Sequence, residues 1–328
     1  MASSAFHFST SHRTLRSSSP VRRLHRTPSY ASLISQAAAL KTLVRSPDFR
    51  GVSVVGKKAG GIGWRRKASV AGAGMAAERG EGKKVNVFDS EEDLAVALAK
   101  YTADLADKFS KTRGSFTVVL SGGSLIKSLR KLVEPPYLDS VNWSTWHVFW
   151  VDERVVPKDH DDSNYKLAFD GFLSKVPILP GNVYSINDAL PAEGAADDYE
   201  ICVKHLVKSN VISVSESGLP KFDLMLLGMG PDGHVASLFP GHPLVNEKEK
   251  WVTFIKDSPK PPPERITFTF PVINSSAYVA LVVVGAGKAG PVHAALGNGQ
   301  NSDVLPVQMV SPAGELAWFL DKEAASKL

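Results

Sequence analysis

The sequence predicts a doubly wound α/β domain with a mostly parallel sheet. Short, largely apolar runs recur between residues 85 and 320, and such runs are typical of strands that are buried on both faces. Segments with apolar residues at helical spacing lie between these runs. Strands that alternate with helices within one domain favour a parallel sheet covered by helices.

The predicted elements follow one another along the whole domain. A short apolar run at residues 85–88 precedes a helix that begins at Ser90, where Glu91, Glu92 and Asp93 place carboxylates at the positive end of the helix dipole. Further strands are predicted at residues 116–120, 146–151, 222–227, 266–270, 278–284 and 316–320. Further helices are predicted at residues 125–132, 164–173, 192–208 and 288–296.

Residues 1–77 differ in composition from the rest of the chain. Their 13 Lys and Arg residues against the single acid Asp48 give a charge of +12. Because the whole chain has a net charge of +5, residues 78–328 have a net charge of −7. A basic, Ser-rich segment that is nearly free of acids is typical of an organellar transit peptide. We therefore predict a disordered transit peptide at residues 1–77 and one domain at residues 78–328, with a plastid favoured over a mitochondrion or peroxisome. A basic arm that stays attached is the alternative.

The acidic charge of residues 78–328 disfavours nucleic-acid binding, which needs clustered Lys and Arg on the folded surface. No run approaches the roughly 18 apolar residues of a membrane span. The single cysteine, Cys202, cannot form an internal disulfide. We expect a domain that binds neither nucleic acid nor membrane and is a monomer or a weak homo-oligomer.

Polar loops follow two of the predicted strands, at the sheet edge where ligands collect in this fold class. Ser121-Gly122-Gly123-Ser124 follows residues 116–120, and its glycines, hydroxyls and helix-start N–H groups can hold an anion. Asp152-Glu153-Arg154 follows residues 146–151, and its Arg can hold a phosphate or carboxylate through two parallel hydrogen bonds. A tight turn and a structural ion pair are the respective alternatives.

Two further loops match the dinucleotide fingerprint Gly-x-Gly-x-x-Gly, namely Gly228-Met229-Gly230-Pro231-Asp232-Gly233-His234 and Gly285-Ala286-Gly287-Lys288-Ala289-Gly290. The context disfavours NAD in both cases. Pro240 follows the first loop too soon for the long helix that a pyrophosphate needs. After Gly290 only 38 residues remain, without the acidic residue that would hold a ribose hydroxyl.

The first of these loops instead offers a candidate general base. A histidine such as His234 can accept a proton from water near neutral pH, and a carboxylate such as Asp232 can orient it. Lys288, at a helix start in the second loop, suits a phosphate. A structural histidine in a turn is the alternative.

Other chemistries find little support in the sequence. No Gly-x-Ser-x-Gly elbow is present, which disfavours a serine nucleophile. His160-Asp161-Asp162 lacks metal-ligand spacing and is interpreted as an exposed polar cluster. We interpret the Pro-rich residues 258–263 as a stiff surface connector.

Together these loops resemble the 6-phosphogluconolactonase family, and the resemblance runs from about Phe88 to the C-terminus. One departure is Val235, where the family commonly has Thr. The matching segments are Leu120-Ser121-Gly122-Gly123-Ser124, Val151-Asp152-Glu153-Arg154, Asp162-Ser163-Asn164-Tyr165, Gly228 to His234 with Ala236-Ser237-Leu238-Phe239-Pro240-Gly241, Arg265-Ile266-Thr267, and Gly285 with Lys288.

The resemblance implies a modified Rossmann-like sheet, shared with sugar-phosphate deaminases and isomerases. It implies hydrolysis of 6-phospho-D-glucono-1,5-lactone to 6-phospho-D-gluconate in the oxidative pentose phosphate pathway, without a metal or organic cofactor. His234 would take a proton from the attacking water, and Asp232 or Asp152 would orient it. The residues expected to bind the phosphate are Arg154, Lys288, Arg265, Gly122, Gly123 and Ser124.

Two alternatives remain open at this point. Glucosamine-6-phosphate deaminases continue the loop with Ile-Ala-Phe-Asn-Glu-Pro, whereas residues 235–240 read Val-Ala-Ser-Leu-Phe-Pro and lack that Glu. A non-catalytic sugar-phosphate sensor would need the phosphate-binding residues alone, so the presence of both His234 and Asp232 argues against it.

Overall fold

The computed structural model describes residues 83–297 and 304–328. The transit peptide predicted at residues 1–77 lies outside the described residues, and the domain boundary at residue 78 stays a prediction. No helix within the described part of the chain is long and apolar enough to cross a membrane.

A six-stranded parallel sheet, here called the main sheet, has the strand order β1-β11-β10-β7-β2-β3. A smaller antiparallel sheet has the order β4-β9-β8, and β5 pairs with β6. The strands are β1 Lys84–Phe88, β2 Phe116–Leu120, β3 Trp146–Trp150, β4 Asp152–Arg154, β5 Ser213–Val214, β6 Pro220–Lys221, β7 Leu224–Leu227, β8 Val252–Ile255, β9 Arg265–Phe268, β10 Tyr278–Val283 and β11 Glu315–Asp321.

Helices connect the strands. The α-helices are α1 Glu91–Arg113, α2 Ser124–Ser128, α3 Tyr137–Ser140, α4 Asn164–Gly171, α5 Ala192–Lys208, α6 Phe270–Asn274 and α7 Ala289–Leu296. Short 3-10 helices lie at Arg130–Val133, Trp143–Thr145, Leu173–Lys175, Pro180–Asn182, Pro243–Asn246, Ala286–Lys288 and Pro306–Met309.

Both faces of the main sheet are buried, except at its edge strand β1, which is largely exposed. On one face, Ala280 and Val282 of β10 pack with Leu94 and Leu98 of α1 in one apolar cluster. The intervening residues of β10 point to the opposite face, because successive side chains of a strand alternate, and they are also buried. Burial on both faces explains why these strands appear in the sequence as continuous apolar runs.

The predicted fold class is confirmed, and most predicted elements lie where the sequence placed them. Two of the predicted strands and helices need correction. The strand predicted at residues 266–270 is β9, which lies in the antiparallel sheet, and Phe270 begins α6 instead of ending a strand. The helix predicted at residues 125–132 is broken at Leu129 into α2 and a 3-10 helix.

The chain passes directly from the main sheet into the antiparallel sheet at Val151. The Val151 N–H donates to Leu120 O of the main sheet at 3.0 Å, and the Val151 carbonyl accepts from the Phe268 N–H of the antiparallel sheet at 2.7 Å. The segment 152–154, interpreted from the sequence as a polar loop, is therefore strand β4. Its pairing partner is β9, with Arg154 opposite Arg265.

A buried carboxylate joins β4 to the start of α4. Glu153 is 2 % exposed, and its Oε1 accepts from the N–H groups of Arg154 at 2.7 Å and Asn164 at 2.8 Å. Its Oε2 accepts from the Tyr165 N–H at 2.7 Å and from Ser163 Oγ at 3.4 Å. Burial raises the pKa of Glu153 to about 7, against the opposing effect of these backbone hydrogen bonds. Glu153 thus fixes the segment that leads from Arg154 to α4.

We expect the contribution of Glu153 to stability to depend on pH. Because its pKa is about 7 in the fold and 4.5 ordinarily, proton binding stabilises the folded chain below pH 4.5, and this stabilisation is lost as the pH rises through 7. The free energy of unfolding of wild type minus that of Glu153→Gln, measured by urea denaturation, should fall by roughly 2 to 3 kcal/mol between pH 5 and pH 8. Glu216→Gln, at an exposed glutamate, is the control and should show a constant difference. A constant difference for Glu153→Gln as well would contradict the prediction.

Candidate active site

Four loops leave the main sheet at the carboxyl ends of β2, β3, β7 and β10, and they form one rim of the sheet. The Ser121 N–H donates to Leu226 O at 3.0 Å, which joins the first loop to β7, the strand that precedes the third loop. Asn164 joins the first loop to β4. Its Nδ2 donates to Asp152 O at 3.0 Å, and its Oδ1 lies 1.9 Å from where a Cβ at Gly122 would be. Glycine at position 122 therefore permits this close approach.

His234 and Asp232 are in direct contact on the third loop. His234 Nδ1 lies 2.6 Å from Asp232 Oδ1. A Cβ at Gly230 would lie 2.0 Å from His234 Nδ1 and 2.4 Å from Asp232 Oδ1, so the loop can fold over this pair only with glycine at that position. Gly233, at φ +78°, makes the turn between the two residues. With Nδ1–H donated to the carboxylate, the lone pair of the ring is on Nε2.

The charges of this pair follow from their surroundings. Burial lowers the pKa of His234 and opposes the effect of the neighbouring Asp232 carboxylate, so the ring is neutral at pH 7. Burial alone would raise the pKa of Asp232. Hydrogen bonds from Lys260 and His234 outweigh burial and lower that pKa to about 2. The pair is thus a charged carboxylate that orients a neutral imidazole.

Asp152 lies nearby but does not bond to His234. Its Oδ2 accepts from Ser237 Oγ at 2.8 Å, and the Ser237 N–H in turn donates to Thr267 Oγ1 at 3.3 Å. The Asp152 charge acts on His234 through space and favours its protonated form. Of the two carboxylates that the sequence left open as partners of His234, Asp232 is the one in contact.

Lys260 is a member of this site that the sequence interpretation missed. Its Nζ lies 3.0 Å from Asp232 Oδ1 and 3.3 Å from His234 Nδ1. Lys260 belongs to the Pro-rich residues 258–263, so the interpretation of that stretch as a mere surface connector is corrected. No motif in the sequence links it to the loop 26 residues earlier.

Lys288 lies over the same loop. Its Nζ donates to Met229 O at 2.5 Å, and burial together with the charge of Lys260 lowers its pKa. The loop that carries Lys288 is fixed by Asp321 at the end of β11. Both carboxylate oxygens of Asp321 accept from the Gly285 N–H at 3.0 Å. Asp321 was not singled out in the sequence because it lies at the end of a strand and outside the polar motifs.

Arg154 and Arg265 are cross-strand neighbours in the antiparallel sheet. Arg154 Nη1 donates to Asp162 O at 2.8 Å, whereas Arg154 Nε, within the described part of the chain, is buried without a hydrogen-bond partner. Arg265 is 3 % exposed and donates to three carbonyls of the Pro-rich stretch. Burial and the Arg154 charge lower the pKa of Arg265. Arg154 thus has an N–H group that is free to bind a ligand, whereas most N–H groups of Arg265 donate to carbonyls of the protein.

The remaining predicted phosphate ligands lie in the first loop. Gly123 has φ +68° and directly precedes α2, so the Ser124 N–H is at the start of that helix. Val235, the departure from the family pattern, is fully buried and thus cannot face a ligand. No group of three or more His, Cys, Asp or Glu residues suited to a metal ion occurs in residues 83–297 and 304–328.

Comparison with known proteins shows which family the chain resembles. Residues 89–318 match the family described as glucosamine-6-phosphate isomerases/6-phosphogluconolactonase. The chain is 75 % identical over 248 residues to "Probable 6-phosphogluconolactonase 4, chloroplastic" of rice, which covers 75 % of this chain and 76 % of that relative. It is 72 % identical over 249 residues to "6-phosphogluconolactonase 3, chloroplastic" of Arabidopsis thaliana, with 76 % of each chain covered.

A solved structure agrees. The 6-phosphogluconolactonase of Thermotoga maritima is 30 % identical, superposes with a TM-score of 0.62, and covers 74 % of this chain and 100 % of that one. The family match extends over most of the chain, and the two plant relatives are more than 70 % identical to it in sequence. The chain therefore belongs to the family of glucosamine-6-phosphate isomerases and 6-phosphogluconolactonases.

Proposed function

We propose that the chain hydrolyses 6-phospho-D-glucono-1,5-lactone to 6-phospho-D-gluconate, the second step of the oxidative pentose phosphate pathway. The observation that carries the proposal is the contact of 2.6 Å between His234 Nδ1 and Asp232 Oδ1, surrounded by cations at one rim of the sheet. The names of the relatives at 72 and 75 % identity support the same activity. A related deaminase activity lacks support, because Phe239 stands where those enzymes carry a Glu.

In this proposal His234 is the general base. Its Nε2 takes a proton from a water molecule whose oxygen attacks C1 of the lactone, while Asp232 stabilises the imidazolium that forms. The bond between C1 and the ring oxygen then breaks, and the imidazolium returns the proton to that oxygen. Backbone N–H groups of the Gly-rich loops would stabilise the oxyanion in between. The products are one hydroxyl and one carboxylic acid, so atoms and protons balance without a cofactor.

The 6-phosphate would bind among the cations. Arg154 and Arg265 are directly opposite on paired strands, where like charges destabilise a sheet, and an anion between them would relieve the repulsion. The unpartnered Arg154 Nε supports Arg154 as the principal ligand. Lys288 and the N–H groups around Gly123 and Ser124 would complete the site.

Replacement of His234 tests the base. His234→Asn should lower kcat at least about a hundredfold, because general-base catalysis is lost while the fold is retained. In wild type, kcat/KM should fall at acidic pH with a midpoint below 6.5, since burial lowers the pKa of His234 from that value. His293→Gln is the control, as His293 is exposed on α7 and contacts Lys327 O instead. Near-normal lactonase activity in His234→Asn would remove His234 from this role.

Replacement of Arg154 tests the phosphate site. Arg154→Ala should raise KM roughly ten- to hundredfold with little change in kcat, because a charge-assisted hydrogen bond to the substrate's tail is lost. Product inhibition gives a second measurement: wild type should prefer 6-phosphogluconate to gluconate, and the variant should lose that preference. Arg130→Ala removes an arginine that pairs with Glu92 and serves as control. An unchanged preference would assign Arg154 a purely structural role.

We also propose that the chain acts in a plastid. The support is the +12 charge of residues 1–77 and the word "chloroplastic" in the names of both relatives. Isolated chloroplasts should import the full chain and shorten it near residue 77, as measured by mass spectrometry of the imported protein. A chain that starts at residue 78 should stay outside, and mitochondria should import neither. Equal import into mitochondria would refute plastid targeting.

A further inference from the structure

Three charged or titratable groups meet at the candidate base, and one of them has no role in the mechanism above. His234 Nδ1 and Lys260 Nζ both approach the same atom, Asp232 Oδ1, at 2.6 and 3.0 Å. The two nitrogens lie 3.3 Å from each other. An ammonium group has only donors, so the short contact between the nitrogens results from their shared acceptor when His234 Nδ1 carries its proton.

The alternative assignment of protons is unfavourable. If Lys260 donated to a bare Nδ1, the proton of the neutral ring would be on Nε2, and the ring could not accept a proton from water there. A lone pair on Nδ1 would then face the Asp232 carboxylate at 2.6 Å. Lys260 and His234 therefore both donate to Asp232, and a positive charge lies beside the ring atom that faces away from the proposed water.

The backbone that carries Lys260 is held in place by hydrogen bonds from Arg265 and Ser258. Arg265 Nη2 donates to Lys260 O and Pro261 O, both at 2.9 Å, and Arg265 Nε donates to Pro262 O at 3.0 Å. Ser258 Oγ donates to Lys260 O at 2.8 Å and accepts from the Lys260 N–H at 3.2 Å. The buried guanidinium thus fixes three successive carbonyls, and with them the position from which the ammonium reaches Asp232.

We propose that Lys260 is a positioning residue for the hydrolytic pair: fixed by Arg265, its ammonium holds Asp232 against His234 and disfavours a second positive charge on the imidazole. This inference rests on the proposed function. The charged groups around His234 are Asp232 and Lys260 in contact and Asp152 through space, and the charge of Lys288 acts on both Lys260 and Asp232. The effect on the pKa of His234 has the sign that the proposal requires, since the Lys260 charge lowers that pKa.

A different role for Lys260, as a direct phosphate ligand, makes different predictions. A ligand for the 6-phosphate would affect KM and leave the protonation of His234 in the free enzyme unchanged. A positioning residue would affect the pH at which the imidazole becomes protonated, with or without substrate. The two roles can therefore be separated by titration.

The experiment compares wild type with Lys260→Met and Lys260→Arg, and uses Lys256→Met, at an exposed lysine beyond β8, as control. The acidic limb of kcat/KM should move to higher pH in Lys260→Met, with activity about tenfold below wild type at pH 5.5 and a much smaller difference at pH 8. Titration of the substrate phosphate is common to all variants, so it does not affect the comparison. Lys260→Arg and Lys256→Met should retain the wild-type limb.

The second measurement needs no substrate. In the full chain with labelled histidine, the NMR titration of the His234 imidazole, assigned by its loss in His234→Asn, should have a higher midpoint in Lys260→Met than in wild type. An unchanged midpoint, or a higher KM with an unmoved acidic limb, overturns the inference. A shifted midpoint in a chain without lactonase activity would refute the proposed function and leave the role of Lys260 intact.

Discussion

The parallel arrangement of the main sheet is the constraint on which the site depends. Because all six strands run in one direction, the loops after β2, β3, β7 and β10 meet at one edge although they are far apart in the sequence. A sheet covered on both faces leaves this rim as the place where backbone N–H groups and charged side chains can face solvent. The region holds an imidazole, two carboxylates and four cations. Asp152 and Arg265 are buried there, and both are hydrogen-bonded to other polar groups.

The antiparallel sheet adds what the main sheet cannot supply. The chain crosses from one sheet to the other at Val151, and β4 and β9 pair there with Arg154 opposite Arg265. The Arg265 guanidinium lies 5.7 Å from the Phe239 ring, which follows the third loop. Arg265 then holds the Pro-rich stretch, which brings Lys260 to Asp232. The pairing of β4 with β9 therefore links Arg154, the proposed phosphate ligand, to Lys260 and the electrostatics of the base.

The sequence predicted the fold well where the physical signal was continuous. Main-sheet strands such as β2 and β10 are buried on both faces and appear as uninterrupted apolar runs, and α5 was predicted at its observed bounds. β4 was missed because its three residues appear as a polar motif, and β8 was missed because its four residues give no clear periodicity. Lys260 and Asp321 were missed for another reason: each acts through a long-range contact that no local pattern encodes.

The clustering of four cations at the rim has a cost in stability. Residues 78–328 carry a net charge of −7, yet Arg154, Arg265, Lys260 and Lys288 are gathered in one place. Burial and mutual repulsion lower the pKa of Arg265 and Lys288, so the folded chain pays in stability for this concentration of charge. Asp232 offsets part of the repulsion, and a bound phosphate would offset more. An anionic substrate bound at this edge of the sheet would offset the repulsion and recover part of the lost stability.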